Sequence, residues 1–157
     1  MGNYVWPCPS YSRISSYFGY RVPPFPGASS NHDGVDLAAV SGTSIIAFGP
    51  GTVTMAGWNG GYGNYISIDH GNGLTSFYGH CLELYVSKGA KVKAGQKIAA
   101  VGTTGSSSGC HLHFGIHKNG SGVDPLGYVK DSDTVSNYTG KSGASVQNIV
   151  KAMFTAY

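Results

Sequence analysis

Two short stretches of the chain concentrate groups that carry out chemistry: NHDGVDLA, residues 31–38, and GCHLHFGIH, residues 109–117. In the first, His32 and Asp36 stand on either side of a glycine. A neutral imidazole and a carboxylate make good zinc ligands, and Gly34 lets the backbone fold so that the two side chains converge. The second stretch reads as a strand, whose alternate residues point to opposite faces. Cys110, Leu112, Phe114 and Ile116 then form a core face, and His111, His113, Gly115 and His117 the other, with the glycine leaving room above the sheet. Along that face His111 and His113 would sit about 7 Å apart, too far for one metal to take both comfortably, so one ligand and one neighbour are expected. Spacing leaves the two interchangeable. His80, closing the run LTSFYGH, is a further imidazole.

Each feature alone has a plainer reading: a His/Asp pair in a Gly-, Pro- and Ser-rich loop is usually a turn, and a single strand-end histidine is usually structural. Jointly they offer two histidines and one carboxylate, the ligand set of many catalytic zinc sites, with imidazoles left over to handle protons. Rival motifs are weaker. GSSSG, residues 105–109, matches the serine-hydrolase pattern G-x-S-x-G, but that elbow must lead into a helix and a strand follows here. No H-E-x-x-H, Walker or dinucleotide-binding pattern is present. Cys110, facing away from the histidines, reads as a small core residue, and Cys8, Cys81 and Cys110 are odd in number, so they allow one pair or three free thiols.

The elements that must position these groups are strands. With 157 residues, 25 of them glycine and 11 tyrosine, and only 11% charged, the chain suits one all-β body rather than an assembly of surface helices. TSIIAF, GTVTMAGW, NYISID, LTSFYGH, QKIAAVG and HLHFGIH alternate with turn signals, the pattern of a sandwich or barrel. Asn59-Gly60, Asn72-Gly73 and Asn119-Gly120 are candidates for type I′ turns, and ISIDHGNGLTSFY reads as a hairpin carrying Tyr78 and His80 on one face. His70 in IDHGNG reads as a turn residue and His117 as a strand end. Residues 1–130 are thus the expected catalytic domain, residues 131–145 a polar linker and residues 146–157 a short amphipathic helix. The basic residues behind the net charge of +3 are dispersed, which argues against nucleic acid, and no window approaches a membrane span. MGNYVWPCPS lacks the basic and apolar regions of a signal peptide, so a piece of a larger protein is expected.

The chain resembles the lysostaphin-like, or LytM-type, zinc metallo-endopeptidases that cut peptide cross-links in peptidoglycan. The resemblance rests on WPCPSYSRISSYFGYR, NHDGVDLAA, GTSIIAFGPGTV, AGWNGGYGNYISIDHGNGLTSFYGH, VSKGAKVKAGQKIAAVGTTGSSSGCHLHFGI and VDPLGY. It implies a compact antiparallel β fold, a Zn2+ ion held by His32, Asp36 and His113, and His80 and His111 as the two catalytic histidines beside it. Zinc would polarise the scissile carbonyl and acidify water, while His80 and His111 would move protons or stabilise the oxyanion. Two departures lie off the ligands: Gly115 where many relatives carry an acid, and Cys110 where proline is common. Members nearest lysostaphin also carry a tyrosine shortly before the first ligand, and PPFPGASSNH has none, which favours stem-peptide or other cross-bridge bonds over pentaglycine.

The expected function is therefore peptidoglycan endopeptidase, acting as a monomer at the cell wall or outside the cell, within a phage tail-associated lysin or a secreted wall hydrolase. Two alternatives belong to other classes. One is a non-catalytic wall-binding or activator module of the same fold. The other is a phosphocarrier or lipoyl-type carrier, which VSKGAKVKAGQKIAAVG echoes but which leaves His32 and Asp36 without a task.

Overall fold

A computed structural model describes residues 4–129; the linker and helix expected at 131–145 and 146–157 lie outside the described residues. In chain order the strands are β1 (Arg13–Ser16), β2 (Gly19–Tyr20), β3 (Asn31–His32), β4 (Val35–Ala38), β5 (Ser44–Ile46) and β6 (Gly51–Trp58). They continue as β7 (Asn64–Gly71), β8 (Leu74–Leu84), β9 (Lys91–Val92), β10 (Lys97–Val101), β11 (His111–Lys118) and β12 (Ser121–Val123). All pair antiparallel, so the all-β expectation holds. The main sheet runs β1-β4-β11-β8-β7-β6-β9, with β12 on β11 and with β10 joining β5 to β8; β2 and β3 form a separate ribbon. Helical structure among the described residues is limited to the 3-10 turns Gly60–Tyr62 and Pro125–Gly127.

Two of the three Asn-Gly pairs turn as expected. Asn72 and Gly73 have φ of 54° and 80°, and Asn119 and Gly120 have 52° and 84°, the left-handed pair that matches strand twist in a two-residue hairpin. Asn59 differs: with φ at −136° it is not left-handed and leads into the 3-10 turn Gly60–Tyr62.

Strand alternation divides the sheet into a core face and a site face. Leu112, Phe114 and Ile116 of β11 are buried with Leu37, Tyr78, Ile66 and Val101, as their parity predicts. Cys110 is a correction, because it precedes β11 and is exposed, so it is not a core residue. Cys8 and Cys81 are buried, and all three thiols are free. The room expected above Gly115 is filled by Phe77: a Cβ at Gly115 would meet the end of the Phe77 ring at 2.1 Å.

On the site face, cross-strand register sets two rows. One runs Ser16, Asp36, His113, Gly79, and the other Arg13, Ala38, His111. Tyr78 and His80 do not share a face as alternation implied. Tyr78 is buried in the core, whereas His80 has φ of 63°, next to an irregularity in the β7–β8 register, and this bulge swings its ring to the site. His70 is also not in the turn. It lies within β7, with Nδ1–H donating to the Pro50 carbonyl at 2.7 Å and Nε2 accepting from Ser76 Oγ at 2.7 Å.

Candidate active site

The site forms where the short ribbon meets the main sheet. β2 pairs Gly19 with His32, the chain turns through Asp33 and Gly34, and β4 then places Asp36 opposite His113. Gly34 is required for space: a Cβ there would lie 2.4 Å from the Phe114 carbonyl oxygen and 3.1 Å from His113 Cε1.

Three buried donors converge. His32 Nε2 is 3.1 Å from Asp36 Oδ1 and 3.1 Å from His113 Nδ1, which is itself 2.9 Å from Asp36 Oδ1. Surrounding bonds fix which atoms face inward. His32 Nδ1–H donates to the Tyr17 carbonyl at 3.0 Å, leaving Nε2 with its lone pair. His113 Nε2–H donates to Asp33 Oδ1 at 2.8 Å, leaving Nδ1, and Tyr62 donates to Asp33 Oδ2. Arg21 Nη1 lies 3.4 Å from Asp36 Oδ2, so the outer carboxylate oxygen is already engaged. Two lone pairs and an anionic oxygen aimed at one point need a cation or a proton between them, and edges near 3 Å are what ligands about 2 Å from one zinc ion produce. The donors present therefore fit zinc.

Electrostatics agree. Burial opposes ionisation of Asp36, yet the His113 and His32 rings held against Oδ1 keep its carboxyl far below the usual range. Asp33 is likewise opposed by burial but is brought down to about 2 by His113 and Tyr62. Burial would lower His113, and its bonds to Asp33 and Asp36 instead raise it to about 9 while no metal competes.

Two further imidazoles stand beside this triangle. His80 Nδ1–H donates to the Thr104 carbonyl at 2.7 Å, and burial together with neighbouring His111 and His113 pulls it down to about 4. His111 Nδ1–H donates to the Gly109 carbonyl at 2.7 Å, its Nε2 lies 3.5 Å from Asp36 Oδ1, and burial likewise pulls it down. Their rings are 4.7 Å apart. Both are neutral at neutral pH and keep Nε2 as the basic atom. A groove of about 680 Å³ opens over all five residues, bounded by the 106–110 loop on one side and by Arg13, Arg21 and Phe25 on another.

All five residues singled out in the sequence thus come together, and His117 does not join them, packing instead against Phe77 with ring centroids 5.1 Å apart. Asp33, Tyr62, Arg21 and Thr104 were not singled out. Only Asp33 carried a signal, as a second carboxylate inside NHDGVD; the others act from loops and turns through contacts with residues distant in sequence.

Fold and site define the class first: an antiparallel β protein with a buried His/Asp/His centre of the metallopeptidase type. Residues 30–125 match peptidase family M23, and the chain belongs to that family. It is 42% identical over 116 residues to the DD-carboxypeptidase/endopeptidase Mpg of Neisseria meningitidis, covering 74% of this chain and 27% of that protein. It is 39% identical over 127 residues to the murein hydrolase activator NlpD of Escherichia coli, covering 80% of this chain and 31% of NlpD. Among solved structures, a zinc-containing peptidase from Vibrio cholerae superposes with a TM-score of 0.71 at 35% identity, over 77% of this chain and 38% of that one. The catalytic domain of lysostaphin from Staphylococcus simulans gives 0.66 at 33% identity, over 75% and 91%. The chain thus spans about a third or less of these two curated relatives. Among the described residues no helix is long and apolar enough to cross a membrane.

Proposed function

We propose that this domain is a zinc-dependent endopeptidase that hydrolyses peptide bonds in peptidoglycan stem peptides or cross-bridges. The observation that carries the reading is the pairing of a complete three-donor triangle, His32, Asp36 and His113, with two neutral imidazoles, His80 and His111, at its edge. The M23 fold, the wall-acting relatives and the zinc-containing neighbour support it.

A zinc ion in the triangle would supply Lewis acidity to a substrate carbonyl and to water. The chain's own residues do the rest. His32 and His113 are held in the tautomers that present Nε2 and Nδ1, and Asp36 supplies the anionic donor. Nε2 of His80 or His111 takes a proton as water's oxygen bonds to the carbonyl carbon. The imidazolium so formed steadies negative charge on the carbonyl oxygen, and its proton then passes to the departing amine as the carbon–nitrogen bond breaks. The sheet against which His32, Asp36 and His113 are buried keeps bulk water from one side of this centre, and the groove opens on the other.

Zymography on purified cell walls with and without a chelator tests the activity; lysis undiminished by zinc removal overturns it. A His113→Ala variant that kept zinc and full activity would overturn the ligand assignment. The likeness to NlpD keeps an activator reading in the same test: sacculus binding that generates no new amino termini would favour it. The carrier reading gives the converging His32 and Asp36 no task and is set aside. Action at the cell wall as a monomer, within a larger wall hydrolase or phage tail lysin, belongs to the same proposal; the small share of each relative that this chain matches is compatible with a larger whole.

A further inference from the structure

The charges lining the groove are almost all committed to one another. Asp36 is bonded to His32 and His113 on one oxygen and approached by Arg21 on the other. Asp33 is bonded to His113 and Tyr62. Arg21 spends its guanidinium on Asp36, the Ser16 hydroxyl and the Ser29 carbonyl. Arg13 is the exception. It lines the same groove, is exposed, and has no hydrogen-bond or ion-pair partner among the described residues.

Its place is set by register. Arg13 pairs with Ala38 and Ala38 with His111, so the three share one row on the site face. Two strand spacings put the Arg13 backbone about 10 Å from that of His111, across the sheet. A peptide laid in the groove with its scissile carbonyl at the metal triangle covers that distance in about three residues. A guanidinium offers a planar fork of donors that matches a carboxylate bidentately and cannot be neutralised by deprotonation.

We propose that Arg13 forms an anion subsite that selects peptides carrying a free carboxylate two to three residues from the bond placed at the metal triangle. The proposal rests on the peptidase reading for the register of the peptide, but it is a statement about binding and does not need cleavage to be tested. It makes the domain discriminate stem peptides with ionised acidic residues from the same peptides after amidation, and from uncharged glycine bridges.

The test is equilibrium binding to the zinc-loaded protein of two synthetic pentapeptides, L-Ala-γ-D-Glu-L-Lys-D-Ala-D-Ala with the final peptide bond replaced by a ketomethylene link that resists hydrolysis and the glutamate α-carboxyl either free or amidated. Both carry the same C-terminal carboxylate, so a difference reports the internal one. The wild type is expected to bind the free acid about five- to tenfold more tightly, with the preference shrinking as salt is raised, because the arginine is exposed. Arg13→Gln should abolish the preference while leaving zinc content unchanged, and Arg13→Lys should restore part of it. Equal binding of the two peptides, no measurable binding of either, or a preference that survives Arg13→Gln overturns the subsite. Discrimination without cleavage of wall peptides would instead reject the endopeptidase reading and leave the subsite standing.

Discussion

His113 meets a carboxylate at each ring nitrogen: Nε2 bonds to Asp33 and Nδ1 lies 2.9 Å from Asp36. Without metal this arrangement favours the imidazolium, and although burial works against it, the two carboxylates raise His113 to about 9. Zinc must therefore displace a proton from Nδ1 at any pH below that value, and affinity should rise with pH up to about 9. Calorimetric zinc titration at pH 7 in buffers of different ionisation enthalpy should show about one proton released per ion; none would contradict the assignment of Nδ1 as a ligand. Asp33 holds the ring in that tautomer from the opposite side. Asp33→Ala removes the acceptor and should weaken zinc binding about 10- to 100-fold, whereas Asp33→Asn keeps an acceptor oxygen and should recover much of it. Competition with a chromophoric chelator measures both. A residue serving only the fold would change unfolding without moving zinc affinity.

The turn between β3 and β4 and the strand β11 show how elements deliver these atoms. Gly34 lets the turn pass against the Phe114 carbonyl, and that backbone oxygen cannot move aside, so Gly34→Ala should cost about 3 kcal/mol and disturb His113 as well. Gly115→Ala meets the end of the Phe77 ring, which is buried against Tyr62, Tyr65, His113 and His117 and cannot simply turn aside; about 3 kcal/mol is expected here too, relieved in part by Phe77→Leu. Denaturant unfolding of the variants and the double mutant checks both values. The same elements show what was legible beforehand. Alternation in HLHFGIH separated Leu112, Phe114 and Ile116 from His111 and His113, because period-two burial is a local property of a strand. It failed at Cys110, where the strand had not begun, and at His80, where a left-handed residue breaks the alternation. Asn59-Gly60 showed a limit of another kind, since the same dipeptide serves a 3-10 turn when no partner strand continues at a two-residue distance. Tyr62 and Arg21 matter through bonds made from loops and turns to residues distant in sequence, which no local pattern encodes.

At the scale of the molecule, the core and the site are built on opposite faces of one sheet, and this separates folding from metal binding. Trp6, Phe48, Tyr78, Phe114 and the buried isoleucines pack away from the triangle, so the protein should stay folded when zinc is removed, unlike a domain whose ligands are its core. Its zinc-free stability should instead depend on pH with two limbs. His80 is depressed to about 4 against an unfolded value near 6.5, so its contribution is present above 6.5 and is lost as pH falls towards 4. His113 is raised to about 9, so its contribution is full below 6.5 and is lost as pH rises towards 9; above about 8.5 the buried Cys8 and Cys81 thiols, both held up near 12, add loss of the same sign. The melting temperature of the zinc-free protein should therefore peak near pH 6.5. His80→Gln should flatten the acid limb between 6.5 and 4 in part, the remainder coming from His111 and His70, which burial also holds below 6.5. Zinc in thousandfold excess over its dissociation constant should add about 4 kcal/mol and erase the alkaline limb up to about pH 8, because the metal then occupies the place of the His113 proton. Scanning calorimetry across this range, with far-UV circular dichroism at each pH, provides the measurement. Loss of β structure on chelation at pH 6.5 would show that the triangle supports the fold, and an alkaline limb unchanged by zinc would show that His113 is not at the metal.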